Sequence, residues 1–86
     1  MATKYEPLEL HLRRHPVTSR EVTIAFSELE RILAAPLPES AITHRPWWGN
    51  QKLTKSRPQA HAWLSAGFEV DAVNPKSGGW VRFKRR

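Results

Sequence analysis

The residues best equipped for chemistry run from His44 to Arg57, His-Arg-Pro-Trp-Trp-Gly-Asn-Gln-Lys-Leu-Thr-Lys-Ser-Arg. This stretch holds two of the four Trp and four of the fourteen Lys and Arg. Cationic side chains attract phosphate whatever the base sequence, amides pair with base edges, and indole rings stack or anchor. The combination points to nucleic acid. Arg45, Lys52, Lys55 and Arg57 would contact phosphates, Asn50 and Gln51 would reach base edges or sugar, and Trp48 and Gln59 would lie beside them.

Other chemistry is harder to assemble. His11 and His15 stand four apart, the spacing of a two-histidine metal pair, but the chain has no cysteine to complete a thiolate zinc site. They read as surface histidines, with no metal expected. The same lack of cysteine excludes a thiol nucleophile and any disulfide. There is no Gly-rich phosphate loop and no His-Glu-x-x-His, and Asp71 is the sole aspartate. The expectation is a protein that is not an enzyme and carries no cofactor.

Charge is distributed unevenly. The net charge is +6 over 86 residues, yet residues 1–43 carry five Lys or Arg against six Glu, a balance of −1. Residues 44–86 carry nine Lys or Arg against Glu69 and Asp71, a balance of +7. Such asymmetry is the footprint of a surface that meets a polyanion. The N-terminus lacks the apolar run of a signal peptide, and no segment approaches the roughly 20 apolar residues of a membrane span. A cytoplasmic protein without membrane contact is the resulting expectation.

The elements that must position these groups follow from periodicity. Pro7 to Arg14 reads as a helix with proline in its first turn and Tyr5, Leu8 and Leu12 on one face, stopped by Pro16. Val22, Ile24 and Phe26 alternate with polar or small residues, as in a short half-buried strand. Ser27-Glu-Leu-Glu30 fits a capping box, so a helix starts at Ser27, buries Leu29, Ile32 and Leu33, and ends before Pro36. Glu39 to His44 can form a further short helix, and the pair loosely resembles a helix-turn-helix. Trp47 and Trp48, read as extended, point in opposite directions, one inward and one outward; alternatively both pack under the loop.

A helix from Pro58 to Gly67 follows, with Ala60, Trp63 and Leu64 towards the core and a small, weakly polar face of Pro58, Ala62, Ser65 and Ala66. Phe68 to Val73 and Trp80 to Lys84, joined by a turn-rich loop, make a hairpin. Phe68, Val70, Val81 and Phe83 form its apolar face. Trp80, Arg82 and Lys84 alternate onto the other, which, with Lys76 in the loop, would track a groove or backbone. Lys84, Arg85 and Arg86 extend the charge into a tail expected to fray. Residues 1–86 thus read as a single α+β domain, winged-helix-like, with three helices and a small antiparallel sheet made of the short strand and the C-terminal hairpin. The long insertion between the second and last helices is the departure from that pattern.

The string Thr23 to Phe26, Glu28-Leu-Glu30, Ile32-Leu33, Leu37-Pro38, Ser40-Ala41, Arg45, Trp47-Trp48, Asn50, Ala62-Trp63 and Ala66 to Val70 resembles a family of small bacterial domains of unknown function. Its members carry a Phe-x-Glu-Ile-Glu stretch, a Trp-Trp-x-Asn motif and an Ala-Trp-x-x-Ala-Gly-Trp segment, the last Trp standing here as Phe68. The resemblance implies one compact domain of bacterial or phage origin and assigns no activity. From the residues, the function expected is a small DNA-binding protein, a transcriptional regulator or DNA-associated accessory factor. Double-stranded DNA is the expected target, and a homodimer would suit two half-sites. The alternative is a protein-interaction module, a small regulator or inhibitor docking on a larger protein.

Overall fold

The computed structural model describes residues 4–16, 18–50, 58–76 and 78–86. Helices α1 (Glu6–Arg13), α2 (Phe26–Leu33), α3 (Glu39–Thr43) and α4 (Pro58–Ser65) and a 3-10 helix at Arg45–Trp48 accompany strands β1 (Glu21–Ala25), β2 (Phe68–Asn74) and β3 (Trp80–Arg85). The strands form one antiparallel sheet in the order β1-β3-β2. The early strand therefore closes onto the C-terminal hairpin, which gives the two-stranded unit the third strand it needs for independent stability. The fold is α+β, with the core between the helices and one face of the sheet.

Local chemistry explains the elements. In α1 the acidic Glu6 and Glu9 lie in the first turn, where negative charge meets the positive end of the helix dipole. Arg13 pairs with Glu9 one turn back at 2.9 Å. Tyr5, Leu8 and Leu12 are buried, as their spacing requires. Strand β1 runs straight into α2, which begins at Phe26 rather than Ser27 and has no side-chain cap. The expected capping box does not form. Instead the Phe26 N–H donates to the Gly79 carbonyl at 2.9 Å, and the Glu30 carboxylate accepts from the Leu37 N–H at 2.8 Å. The hairpin loop thus caps α2, and Glu30 is left to pin the turn that follows. Ala34 closes α2 in the left-handed conformation, φ 56°. Gly67 follows α4 with φ +87°, a backbone setting in which glycine meets no Cβ clash.

The sheet carries one irregularity. Val70 pairs with Phe83 and Ala72 with Arg82, so Asp71 is an extra residue in a bulge. The bulge resets the alternation, and Phe68, Val70 and Val73 all pack on the core side. Through the centre runs a column of aromatic rings. Phe26 stacks on Trp48 at 5.4 Å between centroids, Trp48 on Trp63 at 5.8 Å, and Trp63 leans on Phe83 at 5.5 Å. It links α2, the 3-10 helix, α4 and β3.

The C-terminus is held rather than frayed. Arg85 donates through Nε to the Ser19 carbonyl and through Nη2 to that of Pro16, both at 2.9 Å, and its guanidinium lies 4.5 Å over the Phe68 ring. The Arg86 N–H donates to the Gly67 carbonyl at 2.9 Å. No helix among the described residues is long and apolar enough to cross a membrane.

Candidate nucleic-acid interface

The Trp-Trp-Gly-Asn segment sits between the core and the β2 side of the sheet, the side away from β3. Pro46 allows a tight 3-10 turn rather than an extended run, and both indoles consequently turn towards the protein. Trp48 is 2 % exposed, and its indole N–H donates to the Ala41 carbonyl at 2.9 Å. It is a core residue, and the expected contact role is corrected: a ring stacked on both faces inside the protein has no face left for a base. Trp47 is half-buried, edge-on to Trp48 at 4.7 Å and to Tyr5 at 5.9 Å.

Asn50 is also redirected. Its Oδ1 accepts from the Val70 N–H at 2.8 Å and the Trp63 indole N–H at 3.0 Å, and its Nδ2 donates to the Val70 carbonyl at 3.1 Å. The side-chain amide pairs with the β2 edge as a neighbouring strand would, and its oxygen has no capacity left for a base. Gln59, at 5 % exposure, lies in α4 and donates to the Trp47 carbonyl at 3.2 Å. Burial removes it from any interface. Ala62 is buried as well, and Ser65 and Ala66 are half-buried, so these three residues of the weakly polar face expected on α4 offer little open surface. Of the residues from Gln59 to Ser65 only His61 is fully exposed.

Of the expected cations, Arg45 is exposed at the start of the 3-10 helix. It rims an open groove of about 260 Å³ that is shared with Pro46, Trp48, Gly49, Asn50, Val70 and Val73. Lys76 is exposed in the β2–β3 loop. Gln51, Lys52, Lys55 and Arg57 lie outside the described residues.

The outer face of the sheet differs from the basic strip expected. Trp80 is half-buried, with the Arg82 guanidinium 6.0 Å from its ring centre. Arg82 Nε lies 2.8 Å from Asp71 Oδ2 and 3.6 Å from Glu21 Oε2. Lys84 is exposed but sits in register between Glu21 on β1 and Glu69 on β2. Two cations thus share this face with three carboxylates, and no positive excess remains for a phosphate backbone. Alternation within one strand showed the cations; the acids enter only through pairing with the other two strands.

Of the two histidines considered for metal, His11 packs edge-on to His15 at 5.3 Å. Burial holds the His11 pKa below its ordinary value, helped by His15 and Arg14 and opposed by Glu28. Among the described residues no three His, Asp or Glu side chains gather as a metal site.

Helices packed on one face of a three-stranded sheet, with a Trp-Trp-Gly-Asn clasp on the sheet edge, define a small α+β domain. The chain belongs to the family described as a domain of unknown function, DUF7662, whose family model matches residues 5–86. This agrees with the resemblance carried by the Trp-Trp and Ala-Trp segments. No curated protein and no solved structure matches the chain.

Proposed function

We propose that the chain is a small DNA-binding protein that meets the phosphate backbone through Arg45 and the basic segment that follows it. The observation that carries this reading is the charge of +7 on residues 44–86. The two acids of that half, Glu69 and Asp71, face the sheet cations, while Arg45 and Lys76 are exposed with no ion pair among the described residues. Lys52, Lys55 and Arg57 add three charges directly after Arg45 in sequence. Apart from α3 and the 3-10 helix inserted before α4, the element order and the β1-β3-β2 sheet resemble a winged helix, and that fold analogy adds weight to duplex DNA. The mode differs from a helix laid in the major groove, because from Gln59 to Ser65 α4 leaves only His61 fully exposed. Contact falls to the segment between the 3-10 helix and α4, with Lys76 as a second point.

A titration of random-sequence duplex against wild type and a variant with Arg45, Lys52, Lys55 and Arg57 changed to alanine, at low and physiological salt, tests the reading. Wild type is expected to bind with a steep salt dependence. The variant, shown to be folded by circular dichroism, should lose most of the affinity. Indifference of the wild type to duplex at low salt would end the reading and turn attention to a protein partner.

A further inference from the structure

Helix α1 carries a feature that the DNA-binding reading does not use. Leu10, 49 % exposed, is the one large hydrophobic side chain fully exposed among the described residues. It projects beside a groove of about 330 Å³ lined by Glu6, Pro7, Leu10, His11, Arg14 and Ile32. Glu6, Leu10 and Arg14 are spaced i, i+4, i+8, which places them along one ridge of the helix, roughly 6 Å apart at 1.5 Å rise per residue. An acid, an aliphatic anchor and a base therefore lie in line. The neighbouring ridge is self-satisfied, since Glu9 pairs with Arg13. Glu6 and Arg14 form no ion pair among the described residues, although both are exposed.

A ridge with acid at one end, base at the other and leucine in the middle is complementary to its own antiparallel copy. We infer that α1 is a homodimer surface, with a two-fold axis passing beside Leu10. In that arrangement Leu10 meets the partner's Leu10 against Pro7 and Ile32, Glu6 faces the partner's Arg14, and Arg14 faces the partner's Glu6. The Glu6–Arg14 contact occurs twice and Leu10 meets its own copy at the axis, as an isologous interface requires. The patch is small beside standard interfaces of about 800 Å² per partner, so the dimer is weak and concentration-dependent. The surface is independent of nucleic acid and forms whether or not the chain binds DNA.

Sedimentation of the full chain at low salt, without DNA and over a wide concentration range, reads the dimer directly. Wild type should move from the 9.9 kDa monomer towards twice that mass. Glu6→Arg and Arg14→Glu each set like charges opposite one another at both ends and should raise the dissociation constant about tenfold or more, and Leu10→Ser should abolish the dimer. The double variant Glu6→Arg/Arg14→Glu restores complementarity with the signs exchanged and should dimerise again. That rescue separates pairing from helix stability, because both reversals oppose the helix dipole and the double variant has the weaker α1. A wild type that stays monomeric at the highest concentration, single reversals that dimerise like wild type, or a folded double variant no better than either single one would each overturn the proposal.

Discussion

Asn50 places the whole of its carbonyl oxygen and one amide proton on the protein, bridging β2 to Trp63. Its alanine variant leaves the Val70 and Trp63 N–H groups to whatever water can reach them. A loss of about 1–3 kcal/mol in urea unfolding is expected, and, if the chain binds DNA as proposed, no change in sequence preference. The opposite pattern, full stability with altered sequence preference, would return Asn50 to base reading. His11 makes a second residue-scale prediction. Its folded pKa is depressed by burial, by His15 and by Arg14, with Glu28 opposing, so the native state prefers the neutral ring. Stability from this group is complete above the unfolded value of 6.5 and is lost as pH falls through the folded pKa. Thermal melts of wild type should therefore drop between pH 7.5 and pH 5 by more than those of His11→Gln. Equal losses in the two would remove His11 as the cause.

Between elements, the decisive contacts are ones that periodicity does not encode. Arg85 sits at the end of β3, yet its guanidinium ties Pro16 and Ser19 to the sheet and covers Phe68. Arg85→Ala should lower stability by about 2 kcal/mol, and Arg85→Lys should regain only part, since an ammonium lacks the planar fork that reaches two carbonyls. Chemical denaturation of the three proteins checks both; an unchanged alanine variant would restore the frayed tail read from the sequence. Gly79 joins the hairpin to α2, and a Cβ there would collide with the Asn74 carbonyl and approach Phe26 Cε2 to 3.0 Å. The elements themselves were legible. The stripe Tyr5, Leu8, Leu12, the alternation through Ile24, the Trp63 face and the Gly67 stop all follow from helix and strand periods and left-handed geometry. The capping box failed because Glu30 had a partner seven residues on, Leu37, that local pattern does not reveal. Of the two readings of the Trp pair, packing of both under the loop is the one that forms: Pro46 starts a 3-10 turn, and the two-residue alternation of an extended segment does not apply to it.

On the scale of the whole molecule, net charge overstates the number of cations free to meet a phosphate. Of the nine in residues 44–86, Arg82 is held by Asp71 and Glu21, Lys84 stands between Glu21 and Glu69, and Arg85 is committed to backbone carbonyls. Site-specific contacts and the general field of the protein can be separated by salt. Each phosphate contact on duplex contributes about −0.9 to the slope of log affinity against log salt, whereas a distant charge shifts affinity and leaves the contact count unchanged. If Arg45 touches phosphate and Arg82 does not, Arg45→Ala makes the slope shallower by about 0.9, and Arg82→Ala leaves it within error of wild type. Anisotropy titrations with one labelled duplex across roughly 50 to 200 mM salt would measure all three slopes. A slope lost equally in both variants would place the outer face of the sheet on the DNA, with Asp71 and Glu21 displaced from Arg82 on binding. A slope unchanged in both would move the contacts away from the 3-10 helix and leave the basic segment after Asn50 to carry them.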